Sequence, residues 1–491
     1  MDIGSLIRQS ARRFGDAPAL DCEGRVLSFR EFDQVTDRIG NALIAAGMQP
    51  GDRVAVMLPN GIECLATYYA LAKSGLVRVP LNEKDTEAQN SYKLDDAGCR
   101  AIIHNGQRPP GGADIVFEAD VSWLDSIAWN GPTTPCYVPR GADEPYRLGY
   151  TGGTTGMPKA VTLTMRGEHA EVANFLIDLM PDIGPGDTFL HAAPIIHASG
   201  AYFLPSFSRG VRSRIMTKFD AKTWLEELQS TRASYSFLVP TMIALVLDVP
   251  GVEDYDTSSL RRLCWGASSI PPSVADKAQR VFGKVLAQTY GQSEAPMAIT
   301  VLQPDEHDRV GSAGRAYTLM EVAAMDEDDN FLPPGEVGEI VTRGQLLMLG
   351  YWKRPDLTEQ TIRNGWLHTG DLGYVDDEGF VFLVDRKNDL IISGGSNVYP
   401  REVEDVLNDH PAVKEAAVVG IADDTWGEVI HAVVAVRSEV SEQELLEFVA
   451  GRVPRYKRPR SIAFWPELPK SPAGKILRRE VRDRERERLG S

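Results

Sequence analysis

Basic residues are in short supply in this chain. Its 52 Lys and Arg stand against 69 Asp and Glu, a formal net charge of −17 over 491 residues. Such a surface repels nucleic acid and anionic lipid at long range, so neither is an expected partner. Cysteine is also sparse: Cys22, Cys64, Cys99, Cys136 and Cys264 are scattered, odd in number and never spaced C-x-x-C. That argues against a disulfide framework or a structural zinc site and fits a reducing cytosol. The longest apolar run, residues 237–247, is broken by Pro240 and is too short to span a bilayer. The first residues, MDIGSLIRQSARRFGD, lack the apolar stretch of a secretory signal. The expectation is a cytoplasmic, soluble protein with no membrane span. Internal repeats and low-complexity tracts are absent too.

What is present is an ordinary globular composition, 43% hydrophobic and 25% charged. Helix-period and strand-like segments alternate through most of the chain. Val35, Ile39 and Leu43 recur four apart and are followed by Gly47, which predicts an amphipathic helix with a glycine stop. Residues 54–58 read as a buried strand, 62–73 as a helix, and 101–104, 114–117 and 213–216 as strands. Residues 335–343 and 373–384 are richer in β-branched residues and turns, which predicts a smaller β element. A second domain is expected to begin near residues 385–389. In it Pro400 opens a helix, 416–420 and 431–436 read as strands, and Ser441 with Glu444 forms a capping box. Residues 478–488 alternate charge at helical spacing and read as a solvated helix. The expected class is α/β: a large N-terminal domain of layered α/β subdomains plus a small β element, residues 1–387, and a small mobile α+β C-terminal domain, residues 388–491.

The most informative ten residues are YTGGTTGMPK, residues 150–159. Glycines let a backbone turn bare N–H groups toward a polyanion. Thr151, Thr154 and Thr155 add hydroxyl donors among Gly152, Gly153 and Gly156, and Lys159 adds a point charge. On a chain this acidic, a polyanionic ligand has to be held by such local donors. The string predicts a phosphate cradle, yet it is not the pattern G-x-x-x-x-G-K-[ST], because Ala160 follows Lys159.

Four later strings follow in order: Tyr290-Gly291-Gln292-Ser293-Glu294, Trp366-Leu367-His368-Thr369-Gly370-Asp371, Asp385-Arg386-Lys387 ahead of Ser393-Gly394-Gly395, and Pro469-Lys470-Ser471-Pro472-Ala473-Gly474-Lys475. Together with the glycine loop they resemble the adenylate-forming superfamily of acyl-CoA synthetases, peptide-synthetase adenylation domains and luciferases. The resemblance spans residues 28–477, and acyl-CoA synthetases are the most similar branch.

The resemblance implies activation of a carboxylic acid by ATP and Mg²⁺ through an acyl-adenylate, with pyrophosphate released and CoA as the acceptor. The alternative it leaves open is a stand-alone adenylation enzyme that loads a carrier protein or another acceptor. The glycine loop, Thr151 to Gly156 with Lys159, would hold the β- and γ-phosphates. Tyr290 would stack on adenine, Ser293 would touch the α-phosphate, and Glu294 would ligate Mg²⁺. Asp371 and Arg386 would hold the ribose. Lys475 would be the catalytic lysine bridging carboxylate and α-phosphate, and Gly395 would leave room for the pantetheine arm. Asn388 falls at the family's hinge position, where Asp or Lys is usual.

For the acid itself the resemblance points to residues 193–200, 239–242, 265–268, and 291–292 with 295–297. His197 would gate the pocket near the reacting carboxylate. The Phe-Asp-x-Ser string by which peptide-synthetase domains hold an α-ammonium is missing, which argues for a non-amino acid. Trp265 would shorten a tunnel, so an aromatic or medium-length aliphatic acid is expected. Gly152, where Ser is usual, and Ala160, where Gly is usual, set the chain apart from the commonest pattern.

Overall fold

The computed structural model describes residues 3–106, 109–118, 131–151, 158–394, 396–423, 426–470 and 476–489, the side chain of Asn388 excepted. They group into two compact units, residues 1–321 with 342–367 and residues 322–341 with 368–491.

The first unit is layered α/β. One sheet of seven strands runs in the order 350–351, 159–164, 145–151, 77–80, 53–57, 101–104, 115–118. Arg53–Met57 pairs in parallel with Val77–Pro80 on one side and Ala101–His104 on the other. Parallel neighbours need helical crossovers, and Ile62–Lys73 and Glu87–Ala97 supply them. The helix Phe29–Ala45 starts at Ser28, whose Oγ accepts from Glu31 N at 3.2 Å while Glu31 returns the bond to Ser28 N at 2.8 Å. Its inner face meets Lys73, which is fully buried between Asp33 and Asp37. A buried ammonium tolerates such a place only because two carboxylates face it.

A second sheet of this unit places Thr188–His191, Tyr235–Leu238, Arg262–Gly266 and Leu286–Gln292 side by side. Tyr235–Leu238 pairs in parallel with both Thr188–His191 and Arg262–Gly266. Leu286–Gln292 then turns back antiparallel into Ala295–Leu302. The periodicity therefore located real elements: 62–73 is a helix with those bounds, and the strands at 54–58, 114–117 and 213–216 are each displaced by one residue.

In the second unit, residues 368–375 and Phe380–Arg386 form an antiparallel hairpin, and Ala324, Ile340 and Val381 make a small core beside it. The C-terminal part is α+β. Its strands run in the order 396–398, 391–393, 427–436, 413–423, with Ser461–Phe464 parallel to Gly427–Val436. Pro400–Asn408 and Glu442–Ala450 pack on one face through Val403, Leu407, Leu445 and Val449.

Two local expectations change. Ser441 caps its helix by accepting from Glu444 N at 3.2 Å, but the reciprocal bond is not made. The Glu444 carboxylate lies instead 3.9 Å from His410. The helix Arg478–Leu489 is not solvated all round. Val481 and Glu485 are fully buried, and Glu485 takes hydrogen bonds from Trp465 and His431, both at 2.9 Å. Its polar sequence hid the buried face, because a buried carboxylate with three partners, Arg488 being the third, replaces the usual apolar stripe.

Candidate functional site

The hairpin that flanks the glycine-threonine loop is built by local pairing. Pro145–Thr151 and Lys159–Thr164 run antiparallel, with Thr151 opposite Lys159. These two residues are the described anchors of the loop; Gly152, Gly153, Thr154, Thr155 and Gly156 lie outside the described residues. Lys159 Nζ stands 5.1 Å from the centre of the Tyr351 ring. Tyr351 Oη in turn donates to Glu294 Oε1 at 2.7 Å. Burial, and then the Glu294 charge, push the Tyr351 phenol above its ordinary range, so it stays a donor. The backbone carbonyl of Glu294 also accepts from Met348 N at 2.8 Å. A cation, a phenol and a carboxylate are thus aligned beside the base of the loop.

Tyr290 lies opposite Thr300 just before a register shift, after which Gln292 pairs with Ala295, and Ser293 sits exposed at the turn. Gly291 is dictated by packing: a Cβ there would stand 2.4 Å from Met297 N. Met297 and Ala267 both take left-handed backbone, at φ +56° and +70°. Strained non-glycine residues of this kind gather where surroundings fix a functional shape. Both belong to the segments expected to line the acid pocket.

His197 lies on the loop that carries residues 193–200. Asn82 Oδ1 accepts from Lys84 N at 3.0 Å, which leaves Asn82 Nδ2 to donate to His197 Nε2 at 3.2 Å. His197 Nε2 is therefore the acceptor and its proton sits on Nδ1. His197 is solvent-exposed, and its surroundings, through desolvation first and the Arg147 charge next, hold the imidazole below its ordinary range, so it is neutral near pH 7. Gly200 is required here, since a Cβ would meet Ile195 O at 2.2 Å.

The second unit carries the other expected contacts. Asp371 faces Arg386 across the hairpin, and Arg386 Nε donates to Asp371 Oδ1 at 2.7 Å. Asp371 is buried while Arg386 is exposed. Asp371 N donates to Thr369 Oγ1 at 3.1 Å, and Thr369 Oγ1 donates to Ile340 O at 2.5 Å. Gly394 has φ +58°, and a Cβ on it would stand 2.5 Å from the Trp426 ring. Gly395 and Lys475 lie outside the described residues. On either side of Lys475's segment, Lys470 and Ile476 form an antiparallel bridge.

A family model described as AMP-binding enzyme matches residues 7–352, and one described as AMP-binding enzyme C-terminal domain matches residues 402–475. The chain belongs to the AMP-binding enzyme family. Among relatives, a feruloyl-CoA synthase from Amycolatopsis sp is 36% identical over 493 residues, covering 98% of this chain and 99% of that protein. The fatty acid–[acyl-carrier-protein] ligase ScoC from Streptomyces coeruleorubidus is 35% identical over 487 residues, covering 95% and 93%. Among solved structures, the o-succinylbenzoate CoA synthetase from Bacillus subtilis in complex with the acyl-adenylate intermediate OSB-AMP matches with a TM-score of 0.89 and 30% identity, over 97% of this chain and 98% of that one.

Two residues of this AMP-binding enzyme matter to its site without any motif to announce them. Asn60 reads in sequence as part of a Pro-Asn-Gly turn. Its Nδ2 donates to Ala193 O at 3.1 Å and Met216 O at 3.2 Å, and its Oδ1 accepts from Ile195 N at 2.8 Å. It pins the start of the His197 loop from more than a hundred residues away. Arg478 reads as one charge in an alternating run. Its guanidinium reaches Asp385 at 2.9 Å, Asp389 at 3.0 Å and Glu404 at 2.8 Å, and Asp385 also accepts from Arg401 N at 2.8 Å. These carboxylates hold the Arg478 guanidinium well above its ordinary range, against the effect of burial. A Pro-Asn-Gly turn with an unassigned amide is the only sequence signal for the first; the second has none.

Proposed function

We propose that this AMP-binding enzyme is an ATP-dependent carboxylic acid:CoA ligase that works through an acyl-adenylate and releases pyrophosphate. The observation that carries the reading is the alignment of Lys159, Tyr351 and Glu294 beside the base of the glycine-threonine loop. A polyphosphate in that loop would meet backbone N–H groups, threonine hydroxyls and the Lys159 ammonium. Glu294 is a hard oxygen donor held in one orientation by Tyr351, which suits Mg²⁺. Mg²⁺ bound there supplies charge neutralisation across the phosphate oxygens.

The substrate carboxylate is itself the nucleophile, so no side chain has to be activated to attack the α-phosphate. Ser293 and Lys475 would stabilise charge on the α-phosphate as pyrophosphate leaves. Tyr290 would stack on adenine, and Asp371 with Arg386 would hold the ribose hydroxyls. The neutral His197 would close the acid pocket over the carboxylate. Gly395 would leave space for the thiol arm in the second half-reaction. The two halves are assigned to domains 1–387 and 388–491, with Asn388 as the hinge about which the smaller rotates. The acid is aromatic or of medium chain length.

The free cysteines favour the cytoplasm as the working compartment: all five are buried, and their thiols are pushed up to about 11 or 12, chiefly by desolvation. None of the described helices is long and apolar enough to cross a membrane. Similarity to ScoC favours a second reading, in which the activated acid passes to a carrier protein. Pyrophosphate release over a panel of aromatic and aliphatic acids, with CoA, with carrier protein and with neither, tests both. Acid-dependent release followed by an acyl-CoA product is expected. Acid-dependent release with acyl transfer only to the carrier protein would overturn the CoA assignment in favour of the second reading.

A further inference from the structure

The helix Glu87–Ala97 carries two aspartates in its last turn, Asp95 and Asp96. A carboxylate there faces the negative end of the helix dipole, so the place is unfavourable unless donors or cations answer it. Asp95 is exposed, and its Oδ1 accepts from Gly112 N at 3.3 Å. The Asp96 side chain is only 11% exposed and is answered from two directions.

Tyr150 Oη donates to Asp96 Oδ2 at 2.8 Å, with Lys93 O 3.2 Å away. Burial, and then this bond, push the Tyr150 phenol above its ordinary range, so it stays the donor. From the other side Arg354 Nη2 donates to Asp96 Oδ1 at 3.4 Å, and Lys353 Nζ donates to the Asp96 carbonyl at 2.7 Å. Cations suit this end because the last carbonyls of a helix have no partner within it. Arg53 adds bonds to Ala97 O at 3.0 Å and Gly98 O at 2.8 Å, and its guanidinium lies 5.8 Å from the Trp352 ring centre. One helix end therefore grips Tyr150 and residues 352–354 together.

Both gripped segments adjoin the candidate phosphate site. Tyr150 directly precedes Thr151, the first anchor of the glycine-threonine loop, and pairs with Ala160 across the hairpin. Tyr351 directly precedes residues 352–354. It pairs with Val161, and Trp352 N donates to Ala160 O at 2.8 Å. Lys353 takes left-handed backbone, φ +54°, which a non-glycine residue keeps only where its surroundings over-determine it. The ring that Lys159 faces, and whose hydroxyl holds Glu294, is thus fixed from its C-terminal side by the helix end.

We infer that Asp96 is a positioning residue for Mg·ATP: through Tyr150 and Arg354 it locks the strand that opens the glycine-threonine loop to the segment that carries Tyr351, and so sets Lys159 and Glu294 for the polyphosphate. This rests on the ligase reading above and adds to it a residue that none of the motifs contains. Asp96 acts through Tyr351. Partners that orient a ligand-holding group from behind are worth about 10–100-fold in affinity.

The test is calorimetric titration of Mg·ATP into the full-length protein, without acid or CoA. Asp96→Ala is expected to raise the Kd about tenfold or more. Asp96→Asn, which keeps an acceptor for Tyr150 but no charge for Arg354, should fall between that variant and the wild type. Asp95→Ala, one residue away on the same turn, is the control and should stay within about twofold of the wild type. In a Tyr351→Phe background the Asp96→Ala effect should shrink to about twofold or less, because both act along one path; independent effects would multiply. A Kd for Asp96→Ala equal to the wild type's overturns the role, and so does an effect that multiplies with Tyr351→Phe, which marks a general loosening of the fold. Either result leaves the ligase reading standing, provided the wild type binds Mg·ATP. A wild type that does not bind it overturns both. Should Asp96→Ala fail to fold, Asp96→Asn and Tyr150→Phe carry the same comparison.

Discussion

Arg386 and Asp371 are joined across a hairpin by a 2.7 Å hydrogen bond, an exposed guanidinium meeting a buried carboxylate. Fifteen residues separate them in sequence, and the register of two antiparallel strands sets them opposite each other. In the ligase reading both serve the ribose. Asp371→Ala removes the acceptor and releases Arg386. A lost hydrogen bond to a charged group is worth about 1.5–3 kcal/mol, so the KM for ATP is expected to rise about tenfold or more. The KM for the acid should hold. An ATP dependence equal to that of the wild type rules the ribose role out.

Lys475→Ala is expected to slow acid-dependent adenylation about 10²–10³-fold while sparing thioester formation from presynthesised acyl-adenylate. Single-turnover measurements of the two half-reactions separate these outcomes. Equal loss of both would place the lysine in folding or product release instead.

Asn60→Ala removes three hydrogen bonds from the strap that carries His197. At roughly 1 kcal/mol each, partly offset by water, the cost is about 2 kcal/mol in stability. The kinetic signature is a raised KM for the acid with little change for ATP, since the strap borders the proposed acid pocket. Thermal unfolding and paired KM measurements read the two effects. A change confined to ATP would mean that the strap serves the nucleotide.

Arg478→Met leaves Asp385, Asp389 and Glu404 facing one another without their common cation. Breaking a buried pair from one side costs about 3–5 kcal/mol, and the residual exposure of this one puts it at the lower end. Thermal or urea unfolding should show the loss, and Arg478→Lys should recover only part of it, because an ammonium cannot reach three carboxylates as a planar fork does. Wild-type stability in Arg478→Met would show that solvent already screens the cluster.

Acid sensitivity is expected from His191. It is fully buried, bonds Ser199 Oγ through Nδ1 at 3.0 Å, and is pushed down to about 3 by desolvation. Between pH 6.5 and about 3 the unfolded chain binds a proton that the native state refuses. Stability contributed by the neutral ring is therefore complete above pH 6.5 and lost as pH falls, by up to about 1.4 kcal/mol per unit. His191→Gln should flatten the stability profile in that window. A profile as steep as the wild type's would assign the acid sensitivity to other groups.

Much of this protein was legible in the order of its residues. The helix at 62–73, the alternation of strands and helices and the family itself follow from local signals: periodicity, capping and glycine-rich strings. The same locality misled at residues 478–489. A buried carboxylate with three partners leaves no apolar stripe in the sequence, so a half-buried helix read as solvated.

The tertiary structure alone decided which side chains meet. The Tyr351 hydroxyl on Glu294 and the Arg478 clamp have no sequence signature, and the Asn60 strap has only its Pro-Asn-Gly turn, because each joins residues distant in the chain through sheet register or loop closure. Sequence determined that a carboxylate and a polyphosphate would be brought together. Sheet register and loop closure decided how the groups beside them are held: the Asn60 amide on the His197 loop, and the Tyr351 hydroxyl on Glu294.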